Sequence, residues 1–142
     1  MAKKPILIAM MLAFVAAPAV AQQCLHDAGE TPEQVTRKRA ALTATRTINN
    51  IQFNRPEAAK QIFLRHEELA GAPFVARMST SQDPAIQQMS LSPGTDILPG
   101  WRLTLDVTAS GYWFSVKDTT DPCGFSFISN NSGLIYTAHP LR

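Results

Sequence analysis

Between residues 101 and 136 the chain alternates apolar and polar side chains in short runs separated by turn residues. Trp101, Leu103, Leu105 and Val107 interleave with Arg102, Thr104 and Asp106, and after Ala109-Ser110-Gly111 the same rhythm sets Tyr112, Phe114 and Val116 against Trp113, Ser115 and Lys117. A period of two places the two sets on opposite faces of a strand, so each segment has one apolar face and Trp113 lies on the other. A turn-rich connection carrying Cys123 follows, Phe125 and Phe127 resume the pattern, and Asn130-Asn131-Ser132-Gly133 marks another hairpin before a last strand at 134–137. The stretch reads as an antiparallel β-meander. A lone hairpin is marginal in water, so its apolar face needs a cover.

The cover comes from upstream. Thr31-Pro32-Glu33-Gln34 announces a helix: Thr31 suits the N-cap, Pro32 the first helical position, and Gln34 completes a capping box, with Glu33 at the positive end of the helix dipole. An Ala41, Ala44, Ile48, Ile51 stripe at helical spacing runs to about Phe53, and its small residues let a helix lie close to a sheet. Arg37, Lys38, Arg39 and Arg46 are expected on solvated faces. Asn54-Arg55-Pro56 breaks this helix and starts a second, with Ala59, Ile62, Phe63, His66 and Leu69 on one face and Gly71 and Pro73 as the stop. Residues 77–99 lose all periodicity and read as a polar, turn-rich connection, with Phe74, Val75, Met78, Ile86, Met89 and Leu91 as candidate anchors. Long connections of that kind are often functional, so Met89 and Leu91 there, with Trp113 on the outer face of the meander, form the candidate interaction surface.

Before all this stands a leader. Lys3 and Lys4, an apolar run from Ile6 to Val15 and the small-x-small Ala19-Val20-Ala21 have the layout of a secretory signal peptide, too short to span a bilayer. Gln23, where a lipid-anchored cysteine would need a small residue, argues against lipidation of Cys24. The expected organisation is a signal peptide over 1–21 and a single domain over 22–142, secreted to the periplasm or beyond the cell. Removing the leader takes two of the 13 basic residues and none of the 11 acidic ones, so charges balance and no basic patch points to nucleic acid or an anionic membrane. No stable membrane insertion is expected once the leader is gone. The two cysteines, Cys24 and Cys123, read as one disulfide in an oxidising compartment, against free thiols or pairing between chains.

Catalytic signatures are not found: there is no Gly-x-Ser-x-Gly elbow, Walker loop, His-Glu-x-x-His or Cys-x-x-Cys. A Cys–His nucleophile joining Cys123 to His26, His66 or His139 is ruled out if the thiol is bonded. Glu67 and Glu68 are neighbours on a helix and diverge. Asp118 and Asp121 share one tight loop and offer calcium too few oxygens for more than a weak site; the plainer reading is that they accept backbone hydrogen bonds in the turn. No enzyme activity, metal or cofactor is expected.

Several short motifs carry a resemblance. Arg46-Thr47-Ile48-Asn49-Asn50 near the end of the long helix, Gly100-Trp101, Gly111-Tyr112 opening a strand, the loop from Asp118 to Cys123, and Ser132-Gly133-Leu134-Ile135-Tyr136 together resemble bacterial type IV pilin and pseudopilin globular domains. The match covers roughly residues 46–136 and is poor over 53–98. The resemblance implies an α+β fold, an N-terminal helix plus a second helix packed on a C-terminal antiparallel β-meander. The chain departs from the family at its start, where a cleavable leader without an acidic residue replaces the prepilin-peptidase site and its glutamate. It therefore implies a secreted, soluble pilin-like domain with a structural or adhesive role and an envelope or extracellular protein as partner. The alternative is a periplasmic or extracellular binding module or inhibitor unrelated to pili.

Overall fold

The computed structural model describes residues 24–26, 29–54, 63–71 and 75–139. The leader and the first part of the expected second helix lie outside them. Helix α1 (Pro32–Phe53) begins at Thr31, whose hydroxyl accepts from the Gln34 N–H while the Gln34 side chain accepts from the Thr31 N–H at 2.7 Å. It ends at Asn54, whose N–H returns to the Asn50 carbonyl. Three short helices follow, α2 (His66–Ala70), α3 (Val75–Met78) and α4 (Pro84–Gln87). The strands are β1 (Asp96–Leu98), β2 (Trp101–Val107), β3 (Tyr112–Asp118), β4 (Ser126–Asn130) and β5 (Ile135–Ala138). They form one antiparallel sheet in the order β1-β2-β3-β4-β5.

The core lies between α1 and one face of this sheet. Ala41, Ala44, Ile48 and Ile51 from the helix meet Leu103, Tyr112, Phe114, Val116 and Phe127 from the strands, all buried. The architecture is α+β, a helix on a five-stranded antiparallel sheet. Alanine at two of the four helical contact positions keeps the backbones close, and the aromatic side chains of the sheet fill the space that remains.

Two expectations need correction. The described part of the second helix does not run through Phe63: residues 63–65 are non-helical and α2 starts at His66. The cause is Gln52, whose amide donates to the Leu64 carbonyl at 2.9 Å and accepts from the Leu64 N–H at 3.0 Å, holding that backbone as a strand partner would. The 77–99 connection also contains more than turns. It includes the last turn of α3, all of α4 and the strand β1, and it supplies Met78, Met89, Leu91, Ile97 and Leu98 to the core.

Candidate functional site

The densest gathering of chemistry sits where the start of the domain meets the far end of β3. Cys24 and Cys123 form a disulfide with 5.2 Å between their Cα atoms and 99 positions between them in sequence. The bond lays residues 24–26 across the sheet like a strap. Below it His26 is buried, with Nδ1 2.8 Å from Glu30 Oε1 and Nε2 2.9 Å from Asp118 Oδ2. Each ring nitrogen thus faces a carboxylate oxygen. The ring also packs on Phe125 at 4.6 Å and Trp101 at 5.7 Å between centroids.

Around His26 every charged neighbour has a second partner. Arg37 Nη2 reaches Asp118 Oδ1 at 3.4 Å and the Thr120 hydroxyl at 3.2 Å, and Lys38 donates to Glu30. Asp118 Oδ1 also accepts from the Thr120 N–H at 2.8 Å. Asp121 closes the loop: Oδ1 accepts from the N–H groups of Leu25 and Cys123, and Oδ2 from that of Phe125. Arg37 and Lys38, expected on solvated faces, are instead half-buried in this cluster, Arg37 against Asp118 of β3 and Lys38 against Glu30; Arg39 and Arg46 are exposed.

The electrostatics follow from these contacts. Burial alone would push the Asp118 carboxyl up, but hydrogen bonds from Thr120 and His26 and the Arg37 charge outweigh it, leaving its pKa below the ordinary value. Glu30 behaves likewise, burial being overcome by Lys38 and His26. For Asp121, burial is overcome by the backbone N–H groups of Leu25, Phe125 and Cys123 and by the charge of His26. The three carboxylates are therefore held ionised by donors inside the protein. Among the described residues no cluster of His, Cys, Asp and Glu is arranged to hold a metal ion.

A second buried polar knot lies at the other end of the sheet. Asn49 of α1 donates to the Ser129 hydroxyl at 2.8 Å, and its Oδ1 accepts from the Tyr112 and Ser129 hydroxyls, each at 3.1 Å. Burial pushes the Tyr112 phenol up to about 12. Burial also lowers the pKa of half-buried His66 on α2, with Glu67 opposing.

The candidate surface residues separate. Trp113 stands on the outer face of the sheet, 46% exposed, with its indole N–H donated to Asp106 Oδ2 at 3.0 Å. Met89 (8% exposed) and Leu91 (3% exposed) face the core, so they do not contribute to an accessible surface. They anchor the connection that surrounds them. The outer face instead pairs Trp113 with Asn130 and carries the cross-strand row Thr104, Ser115, Ile128 and Tyr136, the last 53% exposed.

His26, Glu30, Arg37 and Lys38 were not marked by any motif. A signal was available all the same: His26 and Glu30 lie just after one cysteine, Asp118 and Asp121 just before the other, and pairing the cysteines brings the two groups together. No family model, curated protein or solved structure matches the chain. Among the described residues no helix is long and apolar enough to cross a membrane.

Proposed function

We propose that the chain is an exported, non-enzymatic domain of pilin-like architecture that plays a structural or adhesive role in the cell envelope or outside the cell. One observation carries this reading: the two faces of the sheet are put to different uses. On the helix side the buried ionisable groups are committed to one another and to the backbone, holding the strap down. On the other side Trp113 and Tyr136 stand in solvent on a rigid sheet, as contact residues of a binding surface do. The disulfide supports export, since oxidising compartments keep such bonds and the cytosol reduces them.

The test is photo-cross-linking in intact bacterial cells from a p-benzoylphenylalanine placed at Trp113, followed by separation of cytosol, envelope and medium. The expected result is a processed chain lacking residues 1–21, found outside the cytosol and cross-linked to an envelope or surface component. Adducts with pilus or secretion-system proteins support the pilin-like role. A single non-filament partner moves the chain to the binding-module or inhibitor reading. An unprocessed cytosolic chain overturns the proposal.

A further inference from the structure

The two edges of the sheet are treated differently. Strand β1 is a blunted edge: it is three residues long, its register slips between Asp96 and Leu98, and the Ile97 carbonyl already accepts from the Ser90 N–H at 2.9 Å. Asp96 is tied to Arg102 and Pro99 follows directly. Short length, irregular register, charge and proline are the devices by which sheets avoid pairing with other chains. Strand β5, at four residues also short, carries neither a charged residue nor a slipped register. Ile135-Tyr136-Thr137-Ala138 is uncharged, regular and rich in strand-forming side chains, and among the described residues it pairs with β4 alone.

Beside β5, on the helix side of the sheet, runs a groove of about 350 Å³. Half-buried Leu42 lines it, buried Phe125, Phe127 and His26 lie beneath, and Lys38, Arg39 and His139 stand around it. Thr137 pairs with Phe127 and so lines the groove from β5. Lys38 is already bonded to Glu30, whereas Arg39 makes no ion pair among the described residues. A strand added to β5 would turn every second side chain into this groove, where Leu42 suits an apolar residue and Arg39 an acidic one.

We propose that β5 is a docking edge for an extended acidic segment of a partner protein, paired through the backbone, with its apolar side chains against Leu42 and Thr137 and its carboxylates toward Arg39. A second copy of the chain is a poorer occupant. Antiparallel pairing of two β5 strands places both α1 helices on the same face of the joined sheet and turns the Lys38 and Arg39 groups of the two copies toward each other, while β5 itself offers no carboxylate. This site is distinct from the outer face carrying Trp113, so a failure here and a failure of the cross-linking above are separately readable.

The test uses the oxidised chain and two synthetic decapeptides of alternating Val and Thr, one ending in Asp-Asp and the other in Lys-Lys, with binding followed by fluorescence anisotropy and amide exchange. The acidic peptide is expected to bind about 10-fold more tightly than the basic one at low salt, a preference lost in Arg39→Glu, with slowed exchange confined to residues 135–138. Thr137→Glu, at an exposed position lining the groove, is expected to weaken the acidic peptide at least 10-fold while leaving the far-UV spectrum unchanged. Absence of binding by the acidic peptide, or binding indifferent to Thr137→Glu, overturns the proposal. So does concentration-dependent self-association of the unaltered chain, which would give the edge to a second copy.

Discussion

His26 and Asp118 stand 92 positions apart in the chain, yet their side chains meet at 2.9 Å in the interior, the ring 1% and the carboxylate 0% exposed. Removing one partner of such a pair leaves the other charge buried and uncompensated, which costs about 3–5 kcal/mol where it has been measured. His26→Gln and Asp118→Asn, which preserve shape, are each expected to cost about 2–4 kcal/mol in urea unfolding. The double variant is expected to cost less than their sum by about 1–3 kcal/mol. Strict additivity would mean the two groups are not energetically joined.

Acid should loosen the same region. Glu30, Asp118 and Asp121 have folded-state pKa values below their ordinary 4.5, 3.8 and 3.8. The unfolded chain therefore takes up protons at these groups before the folded one does, and stability is lost as pH falls through that interval. Their contribution is complete above the ordinary carboxylate values and disappears below the depressed ones. Thermal melts are expected to fall steeply below about pH 4, after a shallower decline below 6.5 from His66, whose pKa burial lowers. Asp121→Asn should make that fall shallower. An acid limb of equal slope in the variant would remove Asp121 from the set.

The disulfide closes almost the whole domain into a loop. For a loop of about 100 residues the chain-entropy model gives roughly 4.7 kcal/mol, and strain commonly reduces it. The paired variant Cys24→Ser/Cys123→Ser is expected to lose about 3–5 kcal/mol, read as a lower urea midpoint. A more local consequence distinguishes the strap from a mere cross-link. Freed from Cys123, residues 24–26 should detach first, so the Leu25 amide, bonded to Asp121 in the oxidised protein, should exchange much faster than amides of β3. Equal protection at both places would show that the His26 contacts hold the strap without sulfur.

Gly100 sits at φ +76° in the turn from β1 to β2, and a Cβ there would stand 2.8 Å from Arg37 Nη2 and 3.0 Å from Thr120 Cγ2. Gly100→Ala combines left-handed strain with a clash at the edge of the charged cluster. The expected loss is about 1–3 kcal/mol. Because the Arg37 guanidinium is the mobile end of its side chain and also pairs with Asp118, Arg37→Ala in the same background is expected to give no rescue of the melting temperature.

Sequence alone revealed those parts of the molecule whose causes are local. The Thr31–Gln34 capping box, the alanine stripe of α1 and the two-residue rhythm of β2 and β3 are written within a few positions of where they act, and the structure places them accordingly. The Cys24–Cys123 pair was legible because only one intramolecular pairing exists. What escaped depended on distant partners. β1 is too short to show a period and exists because β2 offers it an edge. Residues 24–30 look like a polar lead-in until Cys123 turns His26 inward. Met89 and Leu91, set among serines, glutamines and prolines, lack any helical or strand rhythm to mark them as core. Arg37 and Lys38 look solvated on a helical wheel, and become half-buried because carboxylates from elsewhere arrive beside them.

The knot of Asn49, Tyr112 and Ser129 yields a prediction at the alkaline end. The phenol of Tyr112 is raised to about 12 by burial, above the ordinary 10.0. The folded protein thus keeps a proton that the unfolded chain releases, so this group's contribution is intact below pH 10 and is lost as pH rises toward 12. Phenolate absorbance near 295 nm should show Tyr112 ionising only in the upper part of that interval, together with unfolding. Asn49→Ala removes the acceptor of the buried Tyr112 hydroxyl, while Ser129 keeps the Leu134 carbonyl at 2.7 Å, an expected loss of about 1–3 kcal/mol at neutral pH. Tyr112→Phe deletes the titrating group itself and should cost only about 1 kcal/mol, because the ring still packs on Phe63 and Phe114 and Asn49 still receives the Ser129 hydroxyl. Stability of the Phe variant should then stay level from pH 10 upward where the parent declines; a matching decline in both would place the alkaline weakness elsewhere in the chain.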